Sequence, residues 1–295
     1  MNLISPKLQG YSFVLITMCI WGGFTLFSRL KVQWSISPWD ITALRFAVAF
    51  LILMPILIYQ KQTAFLWQKQ AVLLALTGGV AYCVTAYSAF SLAPAAHGAI
   101  FLNGMIPLCT AFAAYLIYRQ PFDRHIGISL LIMMASLGGM SYLLSQQTGH
   151  PFGLGDLLFF LSAVWWGIFT ALLRKTSLTA WQAMCSVAIW SAIFFIPFYI
   201  FFLPHHLSEP KIEHLVIQTL FHGVFVVIIA TLTYVEAIKR LGAFKAGSLA
   251  TLAPFIAAVL AVPLLNEPLS LAIICGLIGM AIGALQPWRW VSKFK

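Results

Sequence analysis

Two tryptophan–threonine pairs, each within an apolar run, are the side chains best suited to binding a small molecule. Trp21 and Thr25 are four residues apart, and Trp166 and Thr170 repeat that spacing. Residues four apart lie on one face of a helix. An indole supplies a ring and an N–H donor, and a threonine supplies a hydroxyl. The pattern predicts a cavity for an amphipathic ligand. The alternative is helix packing, with each hydroxyl bonded to its own helix.

Further polar side chains interrupt the apolar runs and are candidates for lining the same cavity. A tyrosine offers a hydroxyl and a ring together, and an asparagine offers a donor and an acceptor. A histidine can bind a ligand or carry a proton, because its imidazole titrates near neutral pH. A neutral histidine bonded to a backbone carbonyl is the alternative. These candidates are Tyr82, Tyr87, Asn103, His222 and Tyr234.

The composition indicates an all-α membrane protein. Of 295 residues, 61% are hydrophobic and 8% are charged, which excludes an ordinary soluble enzyme and a disordered chain. The apolar runs are continuous rather than alternating, which excludes a β-barrel porin. A membrane-spanning helix needs roughly 20 apolar residues. Ten transmembrane helices are predicted, at 9–30, 38–59, 70–91, 94–118, 124–145, 155–175, 180–203, 214–238, 243–265 and 269–287.

Two prolines near the middle of predicted helices 4 and 9 are candidate hinges. Pro107 and Pro254 each remove one helical hydrogen bond and bend the helix. The carbonyls of Asn103 and Ala250, four residues earlier, lose their donors. Unpaired backbone groups are tolerated in a membrane where they line a cavity or are buried in protein. A fixed bend that only shapes packing is the alternative.

The distribution of charge predicts the orientation in the membrane. The formal net charge of +10 comes mainly from basic residues in loops between apolar runs. We therefore interpret these residues as signals of membrane topology and not as a nucleic-acid-binding surface. If both termini lie in the cytoplasm, Arg29, Lys31 and Lys211 are the only loop lysines and arginines on the outer side, and the others lie on the cytoplasmic side. Within the spans, Arg45 is interpreted as structural. The near absence of buried carboxylates weakens the case for proton coupling.

The chain contains two copies of one unit. Trp21-Gly22-x-Phe24-Thr25-x-x-x-Arg29 recurs 145 residues later as Trp166-Gly167-x-Phe169-Thr170-x-x-x-Arg174. Tyr87, Pro107 and Pro121 match Tyr234, Pro254 and Pro268 at 147 residues, and Trp39 and Pro55 match Trp181 and Pro197 at 142. The copies span about 9–145 and 155–287. Five helices per copy place the copies in opposite orientations, as in many secondary transporters.

The order of these motifs resembles the EamA-type family of the drug/metabolite transporter superfamily. The resemblance rests on the two five-helix copies, Trp-Gly in helix 1, Arg45-Phe46 in helix 2 and Asn266-Glu267-Pro268 after helix 9. It covers about 10–287. The first copy departs from the family pattern, because Arg119-Gln120-Pro121 stands where a glutamate is usual. That departure puts a symmetric role for the two positions in doubt.

The resemblance implies a single transmembrane domain over 1–295 that works by alternating access. It implies a central cavity lined mainly by helices 1, 3, 4, 6, 8 and 9, with helices 5 and 10 as an outer scaffold. The implied function is export of small metabolites, most often amino acids or related amphipathic compounds, across the bacterial inner membrane. The expected partners are this substrate and the lipid bilayer. A nucleotide-sugar carrier or a drug or cation carrier of the same superfamily is the alternative.

An intramembrane enzyme is the rival class. The Gly153-Leu154-Gly155-Asp156 string is similar to a motif of intramembrane aspartyl proteases, but Asp156 is interpreted as a helix cap. No catalytic residue, metal or cofactor is predicted. Gly279-x-x-x-Gly283 in helix 10 predicts a close packing face. We expect it to pack on helix 5, where Ala135 and Gly139 have the same spacing; pairing with a second subunit in a homodimer is the alternative.

Overall fold

The computed structural model describes residues 5–93, 97–119, 123–148, 153–250, 252–253, 255–257, 260 and 271–286. The regular elements in these ranges are helices. We number them α1 (Pro6–Gln33), α2 (Pro38–Tyr59), α3 (Lys69–Leu92), α4 (98–118), α5 (Arg124–Thr148), α6 (Leu154–Lys175), α7 (Ala180–Phe202), α8 (Ile212–Leu241), α9 (Ala243–Ala250) and α10 (Leu271–Leu285).

Eight of these helices, α1 to α8, are long and apolar enough to cross a membrane. Two shorter apolar helices, Ala243–Ala257 and Ile274–Gly283, lie in the region predicted to hold the ninth and tenth spans. The protein is therefore an all-helical membrane protein in the part described, and the count of ten spans stays a prediction. Pro254 and the Asn266-Glu267-Pro268 motif lie outside the described residues.

Matched helices of the two copies begin with matched caps. At the start of α2, the Ser37 hydroxyl oxygen accepts the Asp40 N–H at 3.0 Å. At the start of α7, the Thr179 hydroxyl accepts the Gln182 N–H at 3.1 Å, and the Gln182 side chain accepts the Thr179 N–H at 2.9 Å. Such caps satisfy backbone donors that a helix start leaves free. Both pairs are 142 residues apart, the offset of Trp39 and Trp181.

The contacts between helices are reproduced when each helix is replaced by its counterpart in the other copy. Helix α2 packs on α7, and α5 packs on α10, so these helices meet their own counterparts. The contact of α3 with α6 corresponds to that of α8 with α1, and the contact of α3 with α7 corresponds to that of α8 with α2. The contact of α4 with α6 likewise corresponds to that of α9 with α1. The sequence repeat is therefore a repeat of packing as well.

The glycine of each Trp-Gly motif permits a close helix crossing. A Cβ atom on Gly167 would lie 2.6 Å from the carbonyl carbon of Cys109 in α4. A Cβ atom on Gly22 would lie 2.8 Å from the Cβ of Ile256 and 3.2 Å from the carbonyl oxygen of Ala253. Both distances to carbon are shorter than van der Waals contact. The motif therefore brings α6 against α4, and α1 against Ala253 and Ile256.

The α10 glycines pack on α5, as expected, but against different residues. Gly279 lies against Ser136, and the Ser129 hydroxyl donates to the carbonyl of Gly283. Ala135 is exposed, and no atom would lie within 4 Å of a Cβ on Gly139. The expectation that Ala135 and Gly139 form the partner face was wrong. Their spacing was suitable, but they lie on another face of α5.

Gly167→Ala should destabilise the protein, because the new methyl group meets backbone atoms of α4. Overpacking of this kind typically costs about 1–3 kcal/mol. The measurement is the melting temperature of detergent-purified protein. Gly139→Ala is the matched control, since it adds the same atom where there is space and should not lower the melting temperature. Equal melting temperatures for wild type and Gly167→Ala would contradict the close crossing.

Candidate functional site

A cavity lies between the two copies, near the middle of the long helices. The space between and around its wall atoms, which includes space open to solvent, is about 490 Å³. Its wall combines aromatic, polar and aliphatic side chains. The lining residues are Trp21, Phe24, Arg45, Gly78, Tyr82, Asn103, Ile106, Trp166, Val187, Val226, Val227 and Thr231.

The two tryptophans predicted from the repeat meet in this cavity. The ring centroids of Trp21 and Trp166 are 5.3 Å apart in an edge-to-face arrangement. Tyr82 lies 4.6 Å from Trp166, and Tyr234 lies 4.9 Å from Trp21. Four helices, α1, α3, α6 and α8, therefore contribute to one aromatic cluster. Such a cluster can hold the apolar body of a ligand by stacking.

The two threonines of the motif occupy different environments. Thr170 is buried, and its hydroxyl donates to the carbonyl of Trp166 at 2.8 Å and lies 3.1 Å from the Tyr234 hydroxyl. Thr170 therefore supports the aromatic cluster through its contact with Tyr234, and it is not among the residues that line the cavity. Thr25 is half-buried and is not among the lining residues. A common helix face predicted the same role for both, but the neighbouring helices differ.

Two of the remaining candidates belong to a hydrogen-bond chain next to the cavity. Tyr87 and His222 are fully buried, and the Tyr87 hydroxyl lies 2.7 Å from Nδ1 of His222. Nη1 of Arg45 donates to the same hydroxyl at 2.8 Å. Arg45 itself lines the cavity. The chain thus connects α2, α3 and α8 through one tyrosine oxygen.

The sequence did not indicate Arg45 as a site residue. Its position in an apolar run was interpreted as structural. In the structure it is 5% exposed and its bonded partner is a phenol. The available signal was the presence of a guanidinium inside an apolar run, which usually marks function. Lys31, placed in a loop from the sequence, also lies within α1 and is fully buried.

Three long helices contain π-helical segments where they pass the cavity. In α3 the segment is Leu76–Ala81, and in α8 it is Phe221–Ala230. These two segments occupy equivalent places in the two copies, because the α3 range shifted by the repeat offset of 147 residues falls within the α8 range. In α4 it is Gly98–Gly104, which includes the lining residue Asn103. π-helical turns are rare and occur often at functional sites. The sequence carries no simple signal for them.

The candidate hinge in α4 lies at a change of helix type. The π-helical segment ends at Gly104, and α-helical geometry starts at Ile106, with Pro107 in its first turn. Proline fits a first turn because the missing N–H would have no partner there. Pro107 therefore starts a new helical segment and does not interrupt a continuous helix. The second candidate hinge, Pro254, lies outside the described residues.

The cavity wall includes two helices that the family resemblance did not imply. Arg45 comes from α2, and Val187 comes from α7. The expected helices 1, 3, 4, 6 and 8 all contribute. Within the described residues α9 contributes none, and α5 and α10 pack on each other away from the cavity. The expected list of lining helices was therefore incomplete.

Asp156 caps α6, as expected, and also bonds across to α4. Its Oδ2 accepts the N–H of Gly153 at 2.9 Å, and its Oδ1 lies 2.6 Å from Nδ1 of His97. Both side chains are buried. The neighbour of Asp156 is thus a histidine, not the second aspartate that an aspartyl protease needs. In the described ranges no group of three or more histidine, cysteine, aspartate or glutamate side chains could hold a metal ion.

Comparison with known proteins identifies the architecture. The model of the EamA-like transporter family matches residues 8–142 and again 153–286. The chain belongs to the EamA-like transporter family. The two matches coincide with the two copies seen in the sequence, and together they cover nearly the whole chain. As a member of a transporter family with membrane-spanning helices, the protein is a multi-pass membrane transporter that moves small molecules.

The solved structures agree with this assignment at the level of the fold. One structure, described as "Crystal structure of protein", superposes with a TM-score of 0.73 at 20% sequence identity. The superposition covers 96% of this chain and 95% of the chain in that structure. At this identity the likeness shows a common fold alone. The comparison with curated proteins found no match.

Tyr87→Phe should destabilise the EamA-like protein, because it removes the oxygen that Arg45 and His222 share. A buried polar group left without its partner costs about 1–3 kcal/mol. The expected result is a melting temperature lower by several degrees in detergent. Tyr59→Phe is the control, since Tyr59 is 90% exposed and its hydroxyl should contribute little. A melting temperature unchanged by Tyr87→Phe would argue against the hydrogen-bond chain.

Proposed function

We propose that the protein is a secondary transporter that exports amino acids or related amphipathic compounds across the bacterial inner membrane. The observation that carries the proposal is the cavity between the two family repeats. Trp21 and Trp166 meet there, and polar side chains share the same wall. Rings suit an apolar body, and the polar groups suit a charged or hydrogen-bonding head. Amino acids with apolar side chains have both parts.

The proposed mechanism is alternating access in a single ten-helix transmembrane domain. The two repeats span the membrane in opposite orientations, with both termini in the cytoplasm. The helices that meet across the repeats, α1 with α8 and α3 with α6, form the cavity wall together with α2, α4 and α7. The π-helical segments of α3, α4 and α8 and the change of helix type at Met105 lie in helices of this wall. They are the points where the long helices can bend as one bundle moves against the other.

Efflux from proteoliposomes tests the function directly. Purified protein is reconstituted with a labelled amino acid mixture inside, and release is followed with and without a pH gradient. We expect selective release of particular amino acids above the level of protein-free liposomes. Release that persists without a pH gradient would show that a proton gradient does not drive export. If folded protein released no amino acid, the substrate would be sought among nucleotide sugars, drugs and cations.

Trp21→Ala and Trp166→Ala should each reduce efflux strongly while membrane insertion persists. Each variant removes one ring of the aromatic cluster and leaves the apolar character of its helix. Trp67→Ala is the control, because Trp67 is 79% exposed and lies outside the cavity. Insertion is measured as the amount of protein in the membrane fraction. Efflux at the wild-type rate in both cavity variants would disprove the assignment of the site.

A further inference from the structure

Two cationic side chains are buried beside the same tyrosine ring. Lys31 of α1 is fully buried, and Arg45 of α2 is 5% exposed. The Lys31 ammonium lies 5.9 Å from the ring centroid of Tyr87, and the Arg45 guanidinium lies 5.6 Å from it. The Lys31 ammonium also lies 3.4 Å from the hydroxyl oxygen of Ser91. Two positive charges therefore converge on one place inside the helix bundle.

The part of the chain that the structure describes provides no ion pair for either cation. Asp40 interacts with Lys31 through its charge, without an ion pair. The Asp40 oxygens accept hydrogen bonds from the Tyr199 hydroxyl at 2.5 Å and the Ser37 hydroxyl at 2.7 Å. Arg45 has no carboxylate partner among the described residues, and a buried charge without a counter-charge costs several kcal/mol. An anion that enters from outside the protein would remove this cost.

Polar nitrogens at the same place have no partner within the described residues. Nε of Arg45 and Nε2 of His222 are buried and make no hydrogen bond there. Nη1 of Arg45 and Nδ1 of His222 meet at the Tyr87 hydroxyl, which keeps the guanidinium and the imidazole in place. A guanidinium has a planar set of donors that matches a carboxylate or a phosphate. The unpartnered Nε–H of Arg45 therefore suits an anionic group.

We propose that Arg45 binds the anionic group of the transported molecule, while the apolar body lies among Trp21, Phe24 and Trp166. Arg45 and these three rings line one cavity. Tyr87 and His222 act as positioning residues for the guanidinium, and Lys31 adds positive potential. The proposal rests on the proposed function, since it takes this cavity as the transport site. It limits the substrate to carboxylates and zwitterions with an apolar body and disfavours simple cations.

Ligand-dependent stability of the full chain tests the proposal without transport. The melting temperature of detergent-purified protein is measured with benzoate, benzyl alcohol, benzylamine and phenyl phosphate. These probes share one ring and differ in the head group. Benzoate should raise the melting temperature, and the alcohol and the amine should not. A shift with phenyl phosphate alone would keep the anion site and assign it to phosphate esters. Equal shifts for benzoate and benzyl alcohol, or none with either anion, would overturn the proposal.

Substitutions of the two buried cationic residues test where the anion binds. Arg45→Gln should weaken benzoate binding by about 30-fold or more, because one partner of a buried charge pair is lost. Lys31→Met should weaken it less, since Lys31 acts through the field. Lys211→Gln is the control, because Lys211 is exposed in a loop. Wild-type affinity for benzoate in Arg45→Gln would overturn the proposal. If that variant did not fold, Lys31→Met and the probe comparison would decide.

The binding assay and the efflux assay fail independently. Benzoate binding that depends on Arg45, together with no release of amino acids, would contradict the proposed function and keep the anion site. Release of amino acids by wild type, together with equal release by Arg45→Gln, would keep the proposed function and contradict the anion site. Release of an amino acid and of its amide, which lacks the carboxylate, at one rate would also contradict the anion site.

Discussion

Water cannot satisfy a polar group within the hydrocarbon core of a membrane, and the arrangement of the cavity depends on this constraint. A polar side chain there needs a protein partner, a ligand or a wet cavity. The Tyr87 hydroxyl is the partner of one nitrogen of Arg45 and one of His222, and the Tyr234 hydroxyl is a partner of Thr170. These bonds connect helices that are far apart in sequence. The polar residues thus fix which helices surround the cavity.

Close helix crossings allow this arrangement to form. Gly22 and Gly167 lack the Cβ atom that would meet Ala253 and Ile256 beside α1 and the backbone of α4 beside α6. The tryptophans that precede them then meet at the boundary between the repeats. One short motif thus supplies both the crossing and the wall of the cavity. This accounts for its occurrence at corresponding places in the two copies.

The sequence was sufficient to predict an all-helical membrane protein built from two copies, and it indicated several residues of the candidate cavity. Apolar runs predicted the long helices, and the Trp-Gly repeat predicted that two copies exist and that Trp21 and Trp166 occupy equivalent places. Long-range partners were not accessible, because Arg45 and Tyr87 bond across 42 positions and Tyr87 and His222 across 135. Lys31 was placed in a loop because a lysine usually ends a span, but α1 continues to Gln33. Periodicity gives the face of a helix, not the neighbour that the face meets.

The two-fold relation applies to the backbone but not to the chemistry of the wall. Arg45 and Val187 are 142 residues apart, the offset that relates α2 to α7, and both line the cavity. The first repeat thus contributes a cation where the second contributes an aliphatic side chain. A homodimer of the first repeat would instead bring two guanidinium groups into one enclosed space, where like charges repel strongly. With Val187 at the second position, the wall is cationic at one of the two equivalent places and aliphatic at the other, so the symmetry of the fold does not make the two orientations of an amphipathic molecule equivalent.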